Sequence, residues 1–160
     1  MSLMAELNSW LPRIDAVEAR LGEVTKPTGG LTEADPTTGE RWEAGQVWGH
    51  MAEFIQFWVE QAGDVIDAFQ GDPVPFGRTR ADPARLAGIE QGHRVEIETL
   101  WQEVKADLAD LRSFLGALPD GWREAVGLHS TLGPMLMERV VEEFLVRHLE
   151  EHAAQLEDLA

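Results

Sequence analysis

Cysteine is absent from the 160 residues, and so is tyrosine. Without a thiol the chain has no disulfide framework, no thiolate zinc ligand and no cysteine nucleophile. Any metal must therefore rest on histidine or carboxylate, and any thiol chemistry must use a thiol brought by the substrate. Positive charge is also scarce: 13 Lys and Arg stand against 29 Asp and Glu, a formal net charge of -16. Such a surface repels phosphate backbones and anionic bilayers, which speaks against nucleic acid and membrane as partners. No apolar run approaches the roughly 20 residues of a membrane span, and the N-terminus lacks the regions of a signal peptide, so a cytoplasmic location is expected. Gly-x-Ser-x-Gly and Gly-Lys-Ser/Thr loops are missing as well, which removes serine-nucleophile and phosphate-cradling signatures.

What is present is an ordinary globular composition, 44% hydrophobic and 26% charged. The length fits a single domain, here residues 4–160, with 1–3 read as a cloning scar before a native start. Leu7, Trp10, Ile14, Val17 and Leu21 recur at helical spacing, with Pro12 expected in a first turn that starts near Ser9. A loop rich in Gly, Pro and Thr follows from Glu23 to Arg41. A second helix is expected from Glu43 to Phe69, with one stripe through Val47, His50, Phe54, Phe57, Gln61 and Val65 and another through Trp48, Met51, Ile55 and Trp58. Asp82-Pro83 marks the start of a third helix, an N-cap followed by proline at the first position, continuing through Leu86, Ile89, His93 and Ile97 to Leu115. Trp122 to Leu132 is a connection of partly extended character, and a fourth helix is expected from about Met135 to the C-terminus. Four long amphipathic helices bury their stripes by packing together, so the expected fold is all-α, a four-helix bundle with long connections.

The histidines carry the chemistry. On the last helix Val141, Leu145, His148, His152, Leu156 and Leu159 share a stripe, so two imidazoles one turn apart replace two hydrophobes, and His50 does the same on helix two. A buried imidazole costs desolvation unless a carboxylate, a water or a metal satisfies it. Rings four residues apart can converge on one ion, and a third from a facing helix leaves positions open for substrate, the layout of a catalytic metal site. A core histidine hydrogen-bonded to a neighbour is the plain alternative. Glu90 and His93 form Glu-x-x-His, the repeat of di-iron bundles, but no other histidine completes that set, and His93 is read as core or as an outer support of the site. His148-Leu149-Glu150-Glu151-His152 also matches the inverted zinc-protease motif, with Glu151 as its base, although little chain follows to supply a third ligand. His129, in a Gly-bounded loop, is expected to be solvated or to anchor that loop.

The segments Arg41 to Phe54 and Phe144 to Leu156 resemble the DinB/YfiT-like superfamily of metal-binding four-helix bundles, which includes the maleylpyruvate isomerase N-terminal domain. The resemblance implies a divalent metal, zinc or nickel with iron as a further candidate, held by His50, His148 and His152. It implies a metalloenzyme of the S-transferase or isomerase type that uses a low-molecular-weight thiol such as mycothiol or bacillithiol, and a homodimer. Maleylpyruvate isomerases typically carry Glu at the middle ligand position, where this chain has His148, so the isomerase activity is not carried over. Glu53 and Glu151 are candidates for orienting a ligand or acting as base, and Arg78, Arg80 and Arg147 for receiving a substrate carboxylate, each against the reading of a solvated helix or loop charge. A competing class is a non-catalytic metal-binding or interaction bundle, with Trp42 and Trp122 packing at a dimer interface.

Overall fold

The computed structural model describes residues 3–160, with side chains from Ser9 onward. Met1 and Ser2 of the expected cloning scar, and the Leu7 side chain of the first stripe, lie outside the described residues. Helix α1 (Leu3–Gly22) begins before the expected start at Ser9 and carries Pro12 inside it. A mid-helix proline costs about 3 kcal/mol, whereas burying one large apolar side chain returns about 1.5–3 kcal/mol. Trp10, Ile14, Val17 and Leu21 are all buried, and that stripe outweighs the proline.

Helix α2 (Ala44–Ala68) follows the expected bounds, with Gln46 Oε1 accepting the Glu43 N–H at its start (2.8 Å). Both predicted stripes are largely buried, including Val47, His50, Phe54, Met51 and Ile55. The expected third helix is two helices, α3 (Pro83–Gln91) and α4 (Ile97–Gly116). Asp82 caps α3 as expected, its Oδ1 accepting from Ala84 N–H at 3.0 Å and Arg85 N–H at 3.1 Å. The break has a packing cause. A Cβ placed on Gly92 would stand 2.1 Å from the Gly45 carbonyl oxygen, and one on Gly49 would stand 2.4 Å from the Gly88 carbonyl oxygen. The α2 and α3 backbones touch along these glycines, and the chain turns at Gly92 before α4 lays Leu100, Val104, Leu108, Leu111 and Leu115 into the core. Leu86, expected on the stripe, is half exposed, and His93 is exposed beside Glu43.

The expected helical architecture holds in its main part, and the structure adds a small three-stranded sheet to the expected all-α bundle. Strand β1 (Val74–Phe76) pairs parallel with β2 (Val126–His129), which pairs antiparallel with β3 (Gly133–Leu136). Met135, expected to open the last helix, is a β3 residue. The final helical rod follows as α5 (Met137–Val140), a π-helical stretch (Val141–Val146) and α6 (Arg147–Leu159), with helical backbone at both junctions. Helix α1 packs on α4 and α6, while α2 packs on α3, α4 and α6. The fold is thus mainly helical with a small three-stranded sheet, and the α2 and α6 contact is where the histidines meet.

Candidate metal centre

His50 sits two turns into α2, fixed by the capped start of that helix, and His148 and His152 sit one turn apart in α6, directly after the π-helical stretch. Ring centroids are separated by 5.4 Å for His50 and His148, 5.0 Å for His50 and His152, and 4.6 Å for His148 and His152. One nitrogen from each ring can be chosen so that all three lie within 4.8 Å of one another, a group that could hold a metal ion. The sequence brought the same three residues forward, and the structure brings them together.

Hydrogen bonds on the outer side fix the tautomers. His152 Nδ1–H donates to Gln155 Oε1 at 2.7 Å, and His148 Nδ1–H donates to the Phe144 carbonyl at 3.3 Å, so each Nε2 keeps its lone pair. His152 Nε2 and His50 Nδ1 are buried without a hydrogen-bond partner. An orphaned buried nitrogen costs about 1–3 kcal/mol, and two in one cluster are what a bound cation would satisfy. Burial holds the His152 imidazole down at about 4 and pushes His50 and His148 well below the usual range, with the neighbouring imidazoles adding to the effect. The three rings are therefore neutral near pH 7, the state a ligand must have.

Aromatic rings wall the cluster. Phe54 stacks on His148 at 4.1 Å and 15°, and Trp42 stacks on His152 at 6.1 Å and 16° while meeting His50 edge-on at 5.0 Å. Trp42 is held by the Glu23 to Arg41 loop: Thr32 Oγ1 accepts its backbone N–H at 2.9 Å, and its carbonyl accepts the Thr32 N–H at 2.8 Å. Above the rings opens a cavity of about 350 Å³, lined also by Trp58, Phe144, Gln155, Arg78, Arg80 and Arg85.

The remaining sequence candidates fall elsewhere. Glu53 binds Arg78 through both oxygens at 2.5 Å, so it holds a cavity arginine rather than an imidazole. Glu151 is exposed at the cavity rim, and Arg147 is exposed and does not line the cavity. His93 lies outside the cluster, because the helix that was to carry it ends at Gln91. His129 is buried on β2 and anchors the hairpin, as one of its two expected readings held. Trp122 is 2% exposed and packs edge-on against Trp10 at 6.2 Å, so it is a core residue, not a dimer surface. Sequence reasoning missed Gln155 and Arg85. Gln155 was detectable in principle, as a polar side chain three residues beyond a buried histidine.

No family model matches the chain, and no curated protein matches it significantly. Among solved structures, the fold is similar to the crystal structure of the mycothiol-dependent maleylpyruvate isomerase, with a TM-score of 0.73 at 13% sequence identity. The match covers 98% of this chain and 61% of that one, so the chain spans about three fifths of the isomerase's length. The likeness shows a shared fold with that isomerase over nearly all of this chain.

Proposed function

We propose that this protein is a divalent-metal enzyme of the thiol S-transferase type, with His50, His148 and His152 holding zinc or nickel, or else iron, and with a low-molecular-weight thiol such as mycothiol or bacillithiol as cosubstrate. The observation that carries the reading is the pair of orphaned nitrogens, His50 Nδ1 and His152 Nε2, in a cluster whose ring nitrogens lie within 4.8 Å. Three neutral imidazoles suit these borderline metals and leave coordination positions open. When bound, such an ion supplies Lewis acidity that brings the pKa of a substrate thiol toward neutrality. The chain's own residues do the rest. Gln155 and the Phe144 carbonyl hold the α6 rings in one tautomer, Trp42 and Phe54 keep water from the inner side of the cluster, and the cavity has the volume of a small-molecule site. The absence of cysteine fits a thiol that arrives with the substrate.

Elemental analysis of tag-free protein beside His148→Ala tests the reading. Near-stoichiometric zinc, nickel or iron that vanishes in the variant supports it, and thiols are then screened against electrophiles. Absence of metal from both proteins after supplementation with those ions overturns it.

A further inference from the structure

In this acidic chain, carboxylates hold most of the arginines. Arg13 is gripped by Glu142 and Glu150, Arg20 by Glu157, and Arg112 by Asp15 and Glu18. The same holds inside the cavity for Arg78, bound to Glu53 and Asp82, and for Arg80, 3.6 Å from Asp35. Arg85 differs. It lines the same cavity, is partly buried, and among the described residues has no carboxylate within ion-pair distance.

Its placement is nevertheless fixed from three sides. Asp82 Oδ1 accepts its backbone N–H at 3.1 Å, the Arg80 carbonyl accepts Nη1–H at 2.9 Å, and its guanidinium carbon stands 5.8 Å from the centre of the Trp42 ring. Trp42 in turn stacks on His152, so a single indole separates the guanidinium from the imidazole cluster. A guanidinium carries five N–H donors in a planar fork that matches a carboxylate, and here one interaction is spent on a carbonyl. Burial lowers the Arg85 pKa from its ordinary value, with Glu40 opposing it from beyond ion-pair distance and Arg80 and Arg78 adding to it, so the guanidinium has lost water without a carboxylate in direct contact. Glu33, Asp35, Glu40 and Glu151 also face the cavity, so its general field does not attract anions. An anion held there must be held by direct contact, which is what an unpaired fork provides.

We propose that Arg85 receives a carboxylate of the substrate, so that the site takes small carboxylic acids whose other end reaches the His50, His148 and His152 cluster. The second half of that statement rests on the metal-enzyme reading; the capture of a carboxylate by Arg85 does not. Arg78 is not the receptor, because Glu53 already occupies both of its terminal nitrogens.

Two measurements separate these parts. In metal-loaded protein, 3-mercaptopropionate is titrated against uncharged 2-mercaptoethanol. The carboxylated thiol is expected to bind about tenfold more tightly, the effect of one charge-assisted pair, and Arg85→Gln is expected to abolish that preference while metal content and 2-mercaptoethanol binding stay unchanged. In metal-stripped protein, succinate is expected to shift the Arg85 Nε–H resonance in nitrogen-15 spectra, with no corresponding response in Arg85→Gln. A preference that survives in Arg85→Gln, or that disappears instead in Arg80→Gln, overturns the assignment. So does an Arg85 resonance that ignores succinate. If the protein binds no metal while succinate still moves that resonance, the metal-enzyme reading fails and the carboxylate receptor stands.

Discussion

His129 and His152 are both buried histidines, 8% and 7% exposed, one on the sheet and one in α6, yet they are built in opposite ways. At the hairpin, His129 Nδ1 accepts from the Thr131 and Leu132 backbone N–H groups at 3.1 and 3.2 Å and lies 3.0 Å from Thr131 Oγ1. The ring is boxed in as well: Gly77, at a φ of 93°, would put a Cβ 2.7 Å from it. In α6, His152 instead donates outward to Gln155 and leaves Nε2 with nothing. Burial is thus no guide to whether a histidine is structural. What distinguishes them is what the ring's lone pair meets: backbone donors in one region, and no donor, beside two further imidazoles, in the other.

The comparison breaks most sharply on metal content. Replacing His50 or His152 with alanine is expected to take bound metal from near one equivalent to background, whereas His129→Leu keeps the full equivalent; elemental analysis after gel filtration reads both. If His129→Leu loses metal as completely as His152→Ala, the distinction is gone.

Acid acts next. Each inward imidazole is neutral when folded and titrates near 6.5 when unfolded, so below pH 6.5 the unfolded chain binds more protons and stability falls with pH, by up to about 1.4 kcal/mol per pH unit for each ring. For His152 that loss runs from pH 6.5 down to about 4, and His50 and His148 move in the same direction. Asp107, pushed up to about 6 by burial, works the other way: the folded state takes its proton first, so its contribution grows as pH falls from 6 toward 3.8. Burial lowers His129 as well, and four rings against one carboxyl leave a net loss. The melting temperature of metal-stripped protein is therefore expected to drop between pH 7 and 5, less steeply in His152→Leu. A flat profile would count against neutral buried rings.

At neutral pH the order of the two regions reverses. Removing the His129 acceptor strands two backbone N–H groups at about 1–3 kcal/mol each, so His129→Leu should lower the melting temperature clearly. His152→Leu in stripped protein removes an orphaned polar atom and should be neutral or stabilising. Calorimetry on the two variants compares them directly. The smallest expected effect is that of Gln155→Leu, which should weaken metal affinity about 10- to 100-fold through a looser His152 ring, with the fold intact; competition against a chelator measures it.

Much of the histidine cluster was legible because an imidazole on an apolar stripe is a local anomaly, visible from spacing alone at His50, His148 and His152. The long helices were legible for the same reason. The break between α3 and α4 was not, since the residues from Leu86 to Leu115 keep a helical period, and what stops the helix is the approach of Gly92 to a carbonyl forty-seven positions away, at Gly45. Of the sheet only the extended character of Trp122 to Leu132, where β2 lies, was legible; β1 and β3 escaped because they are three or four residues long and β1 contains Pro75, tolerated at a sheet edge. Arg85 was passed over because its distinction is a missing partner, and in a sequence with 29 acids nothing says which cation will lack one.

The π-helical stretch at Val141–Val146 has a consequence for how this helix tolerates change in length. A π turn holds one residue more than the α turn it replaces, and each residue of an α-helix advances the phase by about 100°. Everything downstream, His148 and His152 included, is thus aimed by a single surplus position that the helix has absorbed as a local widening. Excising one residue there would let the helix close to ordinary α geometry and swing both rings off the His50 axis by about a quarter turn. The same excision would misalign Glu142, inside the widening, with Glu150, beyond it, which now grip one guanidinium, Arg13. Length variation in this stretch would therefore act as an all-or-none switch on the cluster, while side-chain variation on its outer face leaves the aim untouched.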